Sequence, residues 1–364
     1  MTTLQARFRL TPSATLIICI IFLNALSLIS LYSSLHQGGK FEQYSVFYRQ
    51  VVWIALAWIF LIIFSFINYR LYYDLSFIIY GLNIILLLWV LVFGKEAMGA
   101  QRWIRFLGFN FQPSELSKIT TILILARFFA SERIRRSFRK DVLLPLGLVV
   151  FNALLIFKQP DLGTALILFV LFFLMGIFSR LPKKYFILLL IAGLALAPIG
   201  WKFLKDYQKK RLIVFIDPNV DPLGAGYTII QSKIAIGSGE IFGKGFLSGT
   251  QNQFNFLPER HTDFIFTVIA EEWGFMGSLF LLFIYWLILK KILDLAKDSH
   301  DRFARQVLIG MSALFFAHIF INIGMTLGIL PVVGLPLIFL SYGGSNLLIN
   351  FILAGIIINI ARST

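Results

Sequence analysis

Glu259, Arg260, His261 and Asp263 crowd into one run, Phe256 to Phe266, directly ahead of an apolar stretch, Phe264 to Leu289, long enough to cross a bilayer. Ionisable groups at a membrane boundary are expensive and usually face a cavity or a pathway. A carboxylate there suits proton transfer, so Asp263 is the first candidate for chemistry. Thr262 is placed to cap the following helix, which would set Asp263 in its positively polarised first turn and favour the ionised form. Glu271 and Glu272 follow two turns on, ~12 Å deeper in a regular helix, and need partners or water there.

Three further clusters are chemically unusual. Arg102 sits beside Trp103, a pair suited to an anionic, sugar-containing ligand: guanidinium for phosphate, indole for a sugar face. Pro113 after a polar loop predicts a helix start, with Gln112 near its cap and Glu115 in its first turn. Glu115 and Lys118 are i, i+3 neighbours, and either form an internal salt bridge or line an aqueous pocket. In Lys158 to Thr164, Asp161 is placed to cap the next helix or to serve a ligand.

The third cluster is the interval Lys205 to Thr262, far longer than an ordinary connector and punctuated by Gly224, Gly226, Gly237, Gly239, Gly243, Gly245 and Gly249. Within it Tyr227, Ile230, Gln231 and Ile234 share a helical face while Ser232 and Lys233 point elsewhere, as in a helix lying on a membrane. Asp217 and Asp221, each before a proline, read as turn residues, and Arg211 as either a loop residue or a ligand contact.

What must position these residues follows from composition. The chain has 364 residues, 58% hydrophobic and 14% charged, with mean hydropathy +0.83. That excludes an ordinary soluble protein. The net charge of +15 does not imply nucleic acid, because lysines and arginines sit mostly in short segments between apolar runs. A single cysteine, Cys19, excludes a disulfide framework and a cysteine metal site.

Apolar runs cover 13–35, 47–67, 71–93, 114–130, 142–157, 164–178, 185–204, 264–289, 307–327 and 336–360, the first preceded by Arg7 and Arg9 and read as a retained helix. Arg133, Arg135, Arg136, Arg139 and Lys140 form the strongest cytoplasmic marker. The expected architecture is therefore all-α and polytopic, a bundle of about ten transmembrane helices with both termini cytoplasmic. It forms one domain, 1–364, with a large extracytoplasmic loop at about 205–262 containing interfacial helices. Residues 94–112, 158–163, 205–262 and 328–336 then share the outer face.

The runs Gly99 to Ile104, Gln112 to Glu115 with Lys118, Gln159 to Ala165, Pro258 to Phe266 and Ser341 to Ser345 resemble, in order and spacing, the SEDS family of bacterial cell-envelope proteins. Gly243 to Gln253 resembles the elongation branch of that family rather than the division branch. The resemblance implies a peptidoglycan glycosyltransferase that polymerises lipid II on the outer face of the cytoplasmic membrane. It would work with a class B penicillin-binding protein among the membrane proteins of an elongation complex. Matched by motif, Asp263 corresponds to the family's essential aspartate, and Arg102, Trp103, Glu115, Lys118 and Asp161 to polar positions around its central cavity. Gln112, Arg211, Gln231, Ser232, Glu259, His261 and Ser341 complete the candidate substrate contacts.

Joining two lipid II units requires a sugar hydroxyl to attack an anomeric carbon and expel a pyrophosphate, turning an α-linked donor into a β-1,4 product. One base suffices, without the carboxylate pair of a hydrolase. Asp263 is assigned that role. The departing pyrophosphate needs positive charge from Arg102, Lys118, Arg211 or a divalent cation, Mg or Mn, held by outer carboxylates. A lipid II flippase would use the same substrate, but its carboxylates should spread across the bilayer, whereas these motifs cluster on one side. An ion-coupled transporter would use Glu271 and Glu272 as a relay, yet no internal repeat is visible in the sequence.

Overall fold

The computed structural model describes residues 11–36, 41–97, 100–106, 109–131, 138–254 and 256–363. Arg7, Arg9, Gly99, Arg133, Arg135 and Arg136 lie outside them. The chain begins with α1 (Pro12–Leu35), α2 (Phe41–Phe66) and α3 (Tyr69–Phe93), followed by strands β1 (Lys95–Ala97), β2 (Ala100–Phe106) and β3 (Phe109–Phe111). Next come α4 (Pro113–Phe129), α5 (Leu144–Lys158), α6 (Leu162–Ile177), α7 (Lys183–Gly200), α8 (Asp206–Ile216), α9 (Ala225–Ser238) and the single turn α10 (Thr250–Gln253). The last three helices are α11 (Ile265–Asp298), α12 (Arg302–Thr326) and α13 (Gly344–Ser363). Capping side chains fix several starts: Thr11 for α1, Asn68 for α3, Asp161 for α6 and Asp301 for α12 each accept a first-turn amide.

Among the described residues, six helices are long and apolar enough to cross a membrane: Pro12–Leu35, Ser45–Phe66, Tyr69–Phe93, Arg139–Lys158, Arg302–Thr326 and Gly344–Ser363. In α12 and α13, 72% of the apolar window is buried, against 17% in α2 and 28% in α3. The last two helices are therefore the centre of the bundle. The rim helices α2 and α3 turn Ile62, Phe66, Ile85 and Val92 outward, apolar surface that hydrocarbon tolerates and water does not. Around the centre, α13 packs on α2, α12 on α4, α6 and α11, and α1 on α11.

The structure departs from the expected all-α chain at residues 95–111, where β1, β2 and β3 form an antiparallel sheet in that order. Lys95 pairs with Trp103 and Ile104 with Phe111. Arg102 and Trp103 are consecutive on β2, so the pleat turns their side chains to opposite faces of the strand.

The second departure is at the last apolar run. Helix α13 begins at Gly344, not at 336, although Leu335, Leu337, Ile338, Phe339 and Leu340 are all buried. Pro331 and Pro336 remove amide donors, and Gly334 adopts φ +72°, so the segment stays non-helical. Buried backbone outside a helix needs other partners. Side chains from three helices supply them: Ser27 Oγ donates to Leu340 O (2.6 Å), Tyr285 OH to Ile338 O (2.8 Å) and Asn322 Nδ2 to Leu335 O (2.7 Å).

A third feature explains the glycine-rich interval. Helix α11 is interrupted at Gly274 (φ 66°, ψ −158°), and residues 240–245 dock into the break. Phe275 N donates to Glu240 O (2.9 Å), Met276 N to Ile241 O (3.1 Å), Lys244 N to Glu271 O (3.0 Å) and Gly245 N to Glu272 O (3.0 Å). A Cβ on Gly274 would overlap Gly243 N, so the contact requires glycine. The two deep glutamates find partners in the same place. Glu271 pairs with Lys244 Nζ (2.9 Å) and accepts from Gln251 N (3.0 Å), while Ser33 Oγ donates to Glu272.

Helix α9 packs on α8, α11 and α12 with the side opposite Tyr227, Ile230, Gln231 and Ile234. Ile229, Ser232 and Ala235 are buried, whereas Tyr227, Ile230 and Gln231 are only partly covered and Ile234 is exposed. Ser232 decides this, since its hydroxyl donates to Thr326 O (2.6 Å), a carbonyl at the end of α12 that has no intrahelical partner.

Candidate active site

Asp263 precedes α11 rather than lying in its first turn. The helix starts at Ile265 with Phe264 at its cap, and no side chain caps it. Thr262, expected in that role, instead donates its hydroxyl to Glu259 Oε2 (3.0 Å). Glu259 adopts φ +52° and its carbonyl accepts from Thr262 N (3.1 Å) and Phe264 N (3.2 Å), a tight turn that lifts Asp263 clear of the helix.

The non-helical segment before α13 forms the wall behind it. Asn322 Nδ2 donates both to Asp263 O (2.8 Å) and to Leu335 O (2.7 Å), clamping the two strands of chain together. Ser341 Oγ donates to Thr262 O (2.6 Å), and Tyr342 N to His261 O (2.9 Å). The rings of His261 and Tyr342 meet edge to face at 5.9 Å. Gly334 lies against the carboxylate itself: a Cβ there would be 3.3 Å from Asp263 Oδ2.

A second wall comes from the starts of α4 and α6. Asp161 caps α6 by accepting from Thr164 N (3.2 Å), and its other oxygen accepts from Thr164 Oγ1 (2.9 Å), Gln112 Nε2 (3.0 Å) and Ser114 Oγ (3.2 Å). Gln112 thus stands at the cap of α4 but reaches across to α6. Arg102 holds the preceding turn, with Nε donating to Gln159 O (3.0 Å) and Nη2 to Pro160 O. Trp103 beside it is partly exposed. Arg211 on α8 donates to Val332 O (3.2 Å) and lies over the ring of Tyr207, whose hydroxyl donates to Pro160 O (3.1 Å).

These groups meet electrostatically at Asp263. Burial and the neighbouring Glu259 raise its pKa to about 6, while Arg211 and Arg102 draw it back down and Asp161 adds a smaller upward push. Burial also lowers His261 below its usual value, so its ring is neutral near pH 7. Arg260 points elsewhere, donating to Ser34 O (2.9 Å) on α1.

Glu115 and Lys118 form the internal salt bridge, at 2.7 Å, with both side chains buried. Asn346 Nδ2 donates to Glu115 Oε2 (2.8 Å), and His318 Nε2 is 3.2 Å from Lys118 Nζ. Lys118 is only 1% exposed, leaving Arg102 and Arg211 as the accessible cations beside Asp263. Ser341 is engaged by Thr262 O and Leu337 N, and Ser232 by Thr326 O, while Gln231 lies on the outer side of α9. Asn322, His318 and Gly334 were absent from the expected set. The signal for the first two was a polar side chain within an apolar span.

Among the described residues, no three His, Cys, Asp or Glu side chains gather as a cation site. Both oxygens of Asp161 already accept hydrogen bonds.

Fold and site together define a multi-pass helical membrane protein with a cluster of charged groups around Asp263. The family described as cell cycle protein, FtsW/RodA/SpoVE, matches residues 13–364. "Peptidoglycan glycosyltransferase MrdB" of Escherichia coli (strain K12) is 44% identical over 318 residues, 86% of this chain and 84% of that protein. "Peptidoglycan glycosyltransferase RodA" of Treponema pallidum (strain Nichols) is 30% identical, covering 95% and 96%. Among solved structures, the chain aligns with one titled "Structural coordination of polymerization and crosslinking by a peptidoglycan synthase complex", with TM-score 0.81, 32% identity and coverage of 96% and 97%. It also aligns with the rod shape determining protein RodA of Thermus thermophilus, with TM-score 0.72, 30% identity and 96% coverage of each chain. The chain belongs to the FtsW/RodA/SpoVE, or SEDS, family.

Proposed function

We propose that this chain is a peptidoglycan glycosyltransferase that polymerises lipid II during cell-wall elongation, with Asp263 as its general base. The relatives named as peptidoglycan glycosyltransferases support the activity. The observation that carries the assignment of the base is the placement of Asp263, backed by Gly334 and held through its carbonyl by Asn322, where burial raises its pKa to about 6 and Arg211 and Arg102 draw it back down. A carboxylate in that range is ionised at neutral pH and more basic than an exposed one, which is what proton removal from a hydroxyl requires.

In the proposed reaction the acceptor's 4-hydroxyl oxygen forms a bond to the donor's anomeric carbon as the bond from that carbon to the pyrophosphate oxygen breaks. The hydroxyl proton passes to Asp263, and the polyprenyl pyrophosphate leaves as an anion. A single displacement inverts the linkage from α to β. Arg102 and Arg211 are assigned to the departing charge, and Trp103 to a sugar face. Asp161, Gln112 and Ser114 hold the wall that carries Arg102. No step is routed through a metal ion.

The same reading sets α4, α6, α7 and α11 across the bilayer beside the six long apolar helices. The chain is then one domain of ten spans with both termini cytoplasmic, and 205–262 and Asp263 on the outer side. A class B penicillin-binding protein, within an elongation complex of membrane proteins, is the assigned partner. The structural relative described as a synthase complex coordinating polymerisation and cross-linking supports that choice. The test is to incubate the purified chain with lipid II, with and without such a partner, and resolve products on a gel. Long glycan is expected. Lipid II crossing sealed vesicles with no polymer formed would instead make the chain a flippase.

A further inference from the structure

Helix α12 carries two polar side chains one turn apart, His318 and Asn322, and both reach the non-helical segment before α13. At i and i+4 they share a face. Their targets are adjacent carbonyls: Asn322 donates to Leu335 O (2.7 Å), and His318 Nδ1 lies 3.0 Å from Pro336 O. Each also reaches a second cluster. Asn322 donates to Asp263 O (2.8 Å), whereas His318 Nε2 is 3.2 Å from Lys118 Nζ, which pairs with Glu115 at 2.7 Å. The proposed base and the buried ion pair are thus joined through two successive peptides of one segment.

The chemistry of the partners fixes the state of His318. Lys118 beside a carboxylate at 2.7 Å is an ammonium, which only donates. Nε2 must then present its lone pair. The Pro336 carbonyl only accepts, so Nδ1 must carry the proton. His318 is 1% exposed, and each ring nitrogen already has one of these partners within hydrogen-bond distance. From Asn350 through Asn346, Glu115, Lys118 and His318 to Pro336 O, the polar groups form one unbroken chain.

We propose that His318 is a positioning residue which, as the neutral Nδ1–H tautomer, ties the Lys118 ammonium to the Pro336 carbonyl and so couples the Glu115–Lys118 pair to the segment backing Asp263. It touches no substrate. Its catalytic consequence rests on the glycosyltransferase reading above, but its tautomer does not.

Two measurements on the full-length purified protein test it. In 15N-histidine spectra, with His318→Gln supplying the assignment, the resonance lost is expected to be a neutral ring protonated at Nδ1. A ring protonated at Nε2 overturns the proposal. Glutamine can accept from Lys118 through its oxygen and donate to Pro336 O through its amide, while leucine can do neither. With lipid II as substrate, His318→Leu should therefore lower kcat about tenfold or more with KM little changed, and His318→Gln should stay within about threefold of wild type. Leucine turning over like wild type, or glutamine failing as badly as leucine, contradicts the coupling. Should leucine fail to fold, the glutamine variant and the spectrum still decide. Should wild type make no polymer, the glycosyltransferase reading fails and the spectrum alone decides the tautomer.

Discussion

Gly334 approaches Asp263 so closely that a Cβ on the glycine would lie 3.3 Å from Oδ2 of the carboxylate, and it does so at φ +72°. The backbone of one segment is therefore the rear surface of the acid. A side chain at 334 would strain the turn and crowd the carboxylate at once. Gly334→Val is expected to cost about 1–3 kcal/mol from the backbone alone, since a β-branched residue is poorly tolerated at positive φ. It should also reduce polymerisation by at least about tenfold, with Gly334→Ala intermediate. Thermal melts and glycan gels of the two variants check both effects. Unchanged melting and activity in the valine variant would remove the contact from the account.

Proton affinity at Asp263 makes the pH dependence predictable. The pKa is raised to about 6 by burial first and by Glu259 second, so the base form is lost as pH falls through that value. kcat/KM is expected to show an acid limb near pH 6, not near the ~3.9 of an exposed aspartate. Arg211 draws the pKa down, so Arg211→Gln should move the limb to higher pH. The same raised group binds more protons in the folded than in the unfolded state between about pH 4 and 6, so its contribution to stability falls as pH rises through that window. A limb that stays in place in Arg211→Gln would separate that arginine from the acid.

Asn322 bridges Asp263 O and Leu335 O through one amide nitrogen. Leucine in its place would leave two carbonyls with one acceptor bond fewer in a buried setting, a loss of about 1–3 kcal/mol. Asn322→Leu should melt earlier and turn over more slowly, and Asn322→Asp, which offers no amide donor, should not restore it. Restoration by aspartate would show that size, and not the donated bonds, matters there.

The break in α11 gives a further expectation. Gly274 has φ 66° and receives residues 240–245 against its backbone. Gly274→Ala should therefore destabilise the chain far more than the ~1 kcal/mol gain that alanine brings to an ordinary helix interior. A variant that melts at or above the wild-type temperature would mean the docked loop is dispensable.

Much of this arrangement was legible in the residues. Runs of apolar residues mark the helices, and the cap at Asp161 and the pair Glu115 and Lys118 follow from short-range spacing. What escaped the sequence was non-local. Thr262 looked like a cap because nothing in the chain reveals that Glu259 would turn back and take its hydroxyl. Residues 335–343 are as apolar as a helix, and partners from α1, α11 and α12, hundreds or tens of positions away, let them remain irregular. Ser232 looked like a ligand contact until the end of α12 arrived beside it. The glycines of 237–249 announced a special backbone without saying that it would fill a broken helix.

The most direct measurement is polymerisation of lipid II by purified Asp263→Asn beside wild type, each shown by melting to be folded. Asparagine keeps the shape and removes the base, so turnover is expected to fall by about 10²- to 10⁴-fold with the melting temperature at or slightly above that of wild type. Polymer formed at the wild-type rate by the folded variant would contradict the assignment of Asp263 as the group that takes the proton.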